Sequence, residues 1–163
     1  MKANYITAAA LLLMTFSTVA AEPDYKQQIQ IDADNLSSIK ENVLTYRNNV
    51  IITQGSMQMK ADLLEIDASA GKGKEIYIAT GQPVLYSQLL EGGKQVTAEA
   101  KQMRYEPSSR TLTLSGDAEL AQSGSVVQAS TIRYNVEKQQ LSADSNKNKR
   151  VTTIFTPEEK NNP

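Results

Sequence analysis

Cysteine, histidine and tryptophan are absent from this chain of 163 residues. No disulfide can staple the fold, and no thiolate can hold a metal. Zinc sites of the usual His/Cys kind are excluded, and so are the commonest general base and the thiol nucleophile. Large aromatics are scarce: of the two phenylalanines, Phe16 lies in an N-terminal apolar run. Neither sign of charge dominates, with 17 Lys and Arg against 18 Asp and Glu, so no basic face for nucleic acid is apparent. Beyond that first run, no apolar stretch approaches the roughly 20 residues a membrane helix needs.

What is present begins with MKANYITAAALLLMTFSTVAA. Lys2 precedes an apolar run from Ala8 to Phe16, and small residues follow up to Ala21. That is the layout of a secretory signal peptide over residues 1–21, with cleavage expected after Ala21. The remainder has the length of one domain. That domain is expected over 22–155, followed by a polar tail, TPEEKNNP (156–163), expected to be disordered.

Short apolar alternations fill the mature sequence: IQIDA, VLTYRNNVIIT, SMQMKA, EIYIATG, PVLYSQ, QVTAEA, TLTLSG, AELAQ, VVQAS, TIRYN and QLSAD. Each reads as a strand. Turn compositions separate them at 70–73, 91–94, 106–110, 122–125 and 135–140. A short helical turn is expected near Leu36–Glu41. No later segment has a helical period, so the fold class is all-β.

The strand pattern slips in phase, and the slip recurs. Met57, Met59 and Ala61 alternate, and then Leu64 and Ile66 take over. The same step separates Ala33 from Leu36, Ala100 from Met103 and Ala129 from Ile132. Ala-x-x-apolar is therefore an internal repeat. A one-residue slip turns a strand's apolar set outward unless an extra residue bends the strand to compensate. Each Ala is thus expected at the inside of a corner where a strand leaves one sheet for a facing one. Gly55, Gly81 and Gly116 are expected to mark a second set of bends or turns on the other side. Two facing sheets wound as a stack or jelly roll follow.

Phase assigns the inward residues. From the first half of the chain they include Ile29, Ile31, Leu44, Ile52, Met57, Met59, Leu64, Ile66, Ile76 and Ile78. From the second they include Val84, Tyr86, Val96, Met103, Tyr105, Leu112, Leu114, Leu120, Val127, Ile132 and Tyr134. These side chains are modest in size, compatible with a packed core or with a slot left partly open. The methionines suit an adaptable apolar surface. Catalysis finds little support. The carboxylates Asp32, Asp34, Asp62, Glu65, Asp67 and Glu99 have outward phase or lie in turns, and Ser37, Ser38, Ser56, Ser123 and Ser125 have no visible base.

The runs VIITQGSMQMKADLLEI, ATGQPVLYSQ, VTAEAKQMRYEPSSRTLTLSGDAELAQSG and VQASTIRYNVEKQQLSA, in that order, resemble the OstA-like family of periplasmic lipopolysaccharide-transport proteins of Gram-negative bacteria. The resemblance covers nearly the whole mature chain. It implies a β-jelly roll of two facing antiparallel sheets, slightly V-shaped with open ends. It implies a periplasmic bridge that carries lipopolysaccharide from an inner-membrane exporter to an outer-membrane translocon, with lipid A acyl chains held between the sheets. The inward residues from Ile31 to Tyr134, Leu44 and Val127 left out, then become the walls of a lipid slot. No enzymatic activity and no cofactor are implied. The implied partners are lipopolysaccharide, further copies of the chain joined head to tail, an exporter subunit with a related domain, and the translocon's N-terminal domain. The joining edges are expected near Gln28–Ala33 and Val151–Phe155. The basic run SNKNKR (145–150) reads as a solvated loop or a contact to lipid phosphates. The competing reading is a secreted β-scaffold with a filled core that binds a carbohydrate or protein on its outer face.

Overall fold

The computed structural model describes residues 22–146 and 149–157. The expected leader, and residues 158–163 of the expected tail, lie outside the described residues. Ten strands occur among the described residues: β1 (Ile29–Asp32), β2 (Asn35–Lys40), β3 (Val43–Gln54), β4 (Met57–Asp67), β5 (Ile76–Leu89), β6 (Gln95–Glu106), β7 (Thr111–Gln122), β8 (Ser125–Asn135), β9 (Gln140–Asp144) and β10 (Thr152–Phe155). They make one antiparallel sheet in the order β1-β3-β4-β5-β6-β7-β8-β10, with β2 also on β3 and β9 also on β8.

The outer pairings divide this sheet into two halves. β1 pairs with residues 51–54 of β3, and β2 with residues 43–47. At the far side β10 pairs with residues 125–128 of β8, and β9 with residues 131–135. Between the halves the register shifts on every pair of long strands, at Asn48–Asn49, Ala61–Asp62, Gly81–Pro83, Ala100–Lys101, Gly116–Asp117 and Ser130. These shifts align into one crease. Across it the halves face each other: the Tyr105 hydroxyl donates a 2.8 Å hydrogen bond to Gln54 Oε1, although β4 and β5 separate their strands in the sheet. The expected fold class is therefore present as one creased sheet that supplies both facing layers. Several expected strand pairs, such as EIYIATG with PVLYSQ, are single long strands interrupted only by the crease.

The crease is crossed in two ways. Passes from the first half (with β1) to the second (with β2) step from an inward Ala to an inward apolar residue three positions on. These are Ala33 to Leu36, Ala61 to Leu64, Ala100 to Met103 and Ala129 to Ile132. Return passes need longer steps, from Tyr46 to Val50, Ala79 to Val84 and Leu114 to Ala118. Two of these use pairs of left-handed residues, Asn48–Asn49 (φ 65° and 49°) and Gly116–Asp117 (φ 82° and 49°), where Gly, Asn and Asp are the residues that tolerate such backbone. Gly81 and Gly116 thus lie in the crease itself, and of the three glycines only Gly55 sits in a hairpin turn, between β3 and β4.

Two further expectations are corrected. Residues Leu36 to Lys40 belong to strand β2 rather than to a helical turn, and Glu41 opens the turn that follows it. Leu36 and Ile39 are three apart because β2 has a register shift at Ser37, and a bulge imitates a helical spacing. Ile76 and Ile78 point outward. Their pair partners Asp67 and Glu65 lie on the outer face, whereas Tyr77 and Ala79 pair with the buried Ile66 and Leu64. The five-residue step from Ala79 to Val84 reverses the phase that Val84 and Tyr86 suggest.

Leu64→Ala is expected to cost about 2–5 kcal/mol, because it leaves a cavity in the packed layer. Ile78→Ala is expected to cost about 1 kcal/mol or less. Urea unfolding of the two variants checks the corrected phase, and an equal loss in both would reject it.

Candidate functional site

Apart from Gln54 and Gln88 at the rim of the first half, the buried inner faces of the two halves are apolar across the creased sheet. Every expected wall residue is buried except Ile31, Ile76 and Ile78; Ile31 is half-buried against the same cluster. The structure adds Val50, Tyr77, Ala79, Ala98, Ala118 and Val136 to the inner face. Val50 and Val136 continue the alternations of Ile52 and Tyr134, so period alone could have found them. Tyr77 and Ala79 needed the pairing partner.

This interior is closed. A void of about 20 Å³ at its mouth is lined by Ile29, Ile52, Met57, Met59, Tyr86 and Tyr105, with Gln54 and Gln58. That space suits about one water molecule and is far too small for an acyl chain. An apolar guest therefore needs the halves to part. What it would meet is alkyl and thioether surface with few polar atoms, plus the hydroxyls of the three buried tyrosines Tyr86, Tyr105 and Tyr134.

Those hydroxyls differ. Tyr105 donates to Gln54 as described, and Tyr86 donates to Gln88 Oε1 at 3.0 Å. The Tyr134 hydroxyl is buried without a hydrogen-bond partner. Burial pushes the Tyr105 phenol up to about 12 and raises those of Tyr86 and Tyr134 as well. All three are therefore neutral donors at physiological pH. Tyr134 is the one with a proton to offer to a polar group entering from outside.

Both ends of the sheet are open. β2 and β10 are exposed along their whole length, and they carry the exposed apolar side chains Leu36, Ile39, Ile154 and Phe155. Register places Leu36 and Ile39 on the inner face, opposite Tyr46 and Leu44. Phe155 is on the inner face at the other end, beside Ser125. The expected edges thus hold for β1 and β10, while β2 and β9 form edges that phase did not foresee.

The outer face offers little chemistry. Asp32, Asp34, Asp62, Glu65 and Glu99 are exposed, and no group of three or more acidic residues among the described residues could hold a metal. A shallow groove of about 300 Å³ runs between Gln58, Lys60, Leu85, Glu99 and Glu119. In the basic run, Lys149 pairs with Asp117, which Lys101 also approaches at 2.8 Å. Together these two lysines hold the Asp117 carboxyl down at about 2. Lys147 and Asn148 lie outside the described residues. No helix among the described residues is long and apolar enough to cross a membrane.

Comparison with known proteins gives a consistent result. The family described as LptA/(LptD N-terminal domain) LPS transport protein matches residues 30–140. The chain is 40% identical over 152 residues to the lipopolysaccharide export system protein LptA of Haemophilus influenzae, covering 91% of this chain and 88% of that protein. To the protein of the same name from Escherichia coli K12 it is 36% identical over 164 residues, covering 98% and 89%. Among solved structures it resembles LptH of Pseudomonas aeruginosa, described as the LptA-homologous periplasmic component of the lipopolysaccharide transport device. The TM-score is 0.75 at 21% identity, over 83% of this chain and 100% of that one. That likeness confirms the fold.

Tyr134→Phe removes an unpaired buried hydroxyl and is expected to leave stability unchanged or raise it by about 1 kcal/mol. Tyr105→Phe strands the Gln54 carbonyl and is expected to cost about 1–2 kcal/mol. Thermal or urea unfolding distinguishes the two, and a larger loss for Tyr134→Phe would show that its hydroxyl is bonded in solution.

Proposed function

We propose that this chain, which belongs to the LptA/(LptD N-terminal domain) LPS transport protein family, is a periplasmic bridge that holds the acyl chains of lipopolysaccharide between its half-sheets. The family is one of non-enzymatic transport proteins, and the relatives' names support a role in lipopolysaccharide transport. The observation that carries the finer reading is the inner face, apolar from one open end to the other. Each acyl CH₂ removed from water contributes about 0.8 kcal/mol. Parting the halves exchanges apolar contacts between layers for apolar contacts with the guest, so a chain of a dozen carbons can offset the opening.

The open ends support head-to-tail assembly. β1 runs from the rim of the first half to the crease, and β10 runs from crease to rim. In the second half β2 runs from crease to rim, and β9 from rim to crease. Setting β10 and β9 of one copy beside β1 and β2 of the next therefore makes both joints antiparallel. Exposed edges of this kind accept added strands. Phe155 of one copy then faces Leu36 and Ile39 of the next across a continuous interior. An exporter subunit or a translocon domain with the same two edges fits the same joint.

The closed interior favours one competing reading, a binding module with a dry core that uses the outer-face groove. The two readings separate on substitution. Met59→Asp, on the inner face, is expected to reduce binding of purified lipopolysaccharide at least tenfold, and Gln58→Asp, its outward neighbour, less than twofold. Binding retained by a folded Met59→Asp protein would reject the slot. For assembly, Phe155→Asp combined with Leu36→Asp is expected to shift the concentration-dependent mass in light scattering toward the monomer. An unchanged mass distribution would reject the edges as the joint.

A further inference from the structure

The segment before β1 crosses the mouth of the V. Residues Asp24–Lys26 form one turn of 3-10 helix that touches both rims. On the rim of the first half, Asp24 Oδ1 accepts the Ser56 backbone N–H at 2.8 Å and Oδ2 accepts the Ser56 hydroxyl at 2.6 Å. Gln88 Nε2 also donates to Asp24 Oδ2, at 3.3 Å. Gln54 Nε2 donates to the Gln27 carbonyl at 2.9 Å. On the rim of the second half, the Arg110 guanidinium lies 4.6 Å from the centre of the Tyr25 ring. Arg110 in turn pairs with Glu137, and these contacts, with a hydrogen bond from Tyr25, hold the Glu137 carboxyl below its usual range.

The attachment reaches into the interior. Gln54 and Gln88 are buried polar residues, each 5% exposed. Each takes the hydroxyl of an interior tyrosine on its carbonyl and gives its amide to the N-terminal segment. Gln54 thus joins the segment, the first half and, through Tyr105, the second half. The backbone is shaped for the same contact. A Cβ on Gly55 would lie 2.9 Å from Asp24 Cα, so Asp24 can sit there only because residue 55 has no side chain. The small void lies just inside this closure, between Ile29, Tyr86 and Tyr105.

We infer that residues 22–27 are a latch on the acyl-chain slot. They tie the two rims together while no guest is held and must release the first rim, at Ser56 and Gln88, before a long-chain amphiphile can part the halves. The contacts suit that task, since they are few and mostly polar, and Tyr25 is the one side chain of the segment's 3-10 turn that packs against the core cluster. The inference rests on the slot reading above and adds its control.

The test uses the absence of native cysteine. Asp24→Cys with Ser56→Cys places a disulfide across the first rim, scored by loss of free thiol. Uptake of purified lipopolysaccharide is timed by co-elution. The oxidised double variant is expected to take it up at least tenfold more slowly than wild type, and reduction is expected to restore a rate at or above wild type. Gly55→Ala, which pushes Asp24 away without a crosslink, is expected to speed uptake at least threefold. Uptake by the oxidised protein at the wild-type rate, or by Gly55→Ala at an unchanged rate, overturns the latch while leaving the slot intact. No uptake by the wild-type protein overturns the slot, and the latch with it.

Discussion

A strand shows the same face only at every second residue, and this sheet must show the same face inward on both sides of a fold. That constraint organises the molecule. Each strand has to gain residues at the crease, and neighbouring strands must do so at the same level or the hydrogen-bonded ladder breaks. The outward passes meet the requirement with an alanine and a three-residue step. The return passes meet it with Asn48–Asn49, Gly81–Pro83 and Gly116–Asp117. Because one sheet supplies both layers, the apolar faces meet without a separate core, and the ends of the sheet remain unpaired.

The interior and the function are linked through that crease. The inner wall is apolar and closed, with a void of about 20 Å³. Such a wall can trade one apolar neighbour for another at little cost, provided the two halves can move apart about the crease. Polar contacts are concentrated at the mouth, where Gln54, Gln88 and the segment around Asp24 fasten the rims. The arrangement separates two tasks. Apolar surface determines what can be held, and a small polar closure determines when the mouth is free.

Much of this was legible in the sequence, and the failures have physical causes. The Ala-x-x-apolar repeat identified all four outward passes, because a short step leaves a visible slip in period. Of the return passes, those through Asn48–Asn49 and Gly116–Asp117 take four-residue steps, which preserve the period and so left no slip to see. EIYIAT carries apolar residues in both phases, and the partner strand decided between them: Leu64 and Ile66 required Ala79 and Tyr77 inside, leaving Ile76 and Ile78 outside. The edge β2 was hidden because a bulge at Ser37 gave it a helical spacing. The closure around Asp24 carries no periodic signal at all, since it depends on side chains 30 or more residues apart.

The central claim is that lipid occupies the space between the half-sheets, and adjacent residues test it most directly. A photo-crosslinking aromatic amino acid is placed at Tyr77, half-buried on the inner face, and in a second protein at Ile78, on the outer face. Each protein is mixed with purified lipopolysaccharide and irradiated, with circular dichroism confirming the fold. Crosslinking at 77 and not at 78 is the predicted result. Crosslinking at 78 alone, or at neither position in folded protein, would contradict the account and leave a filled core with binding confined to the outer face.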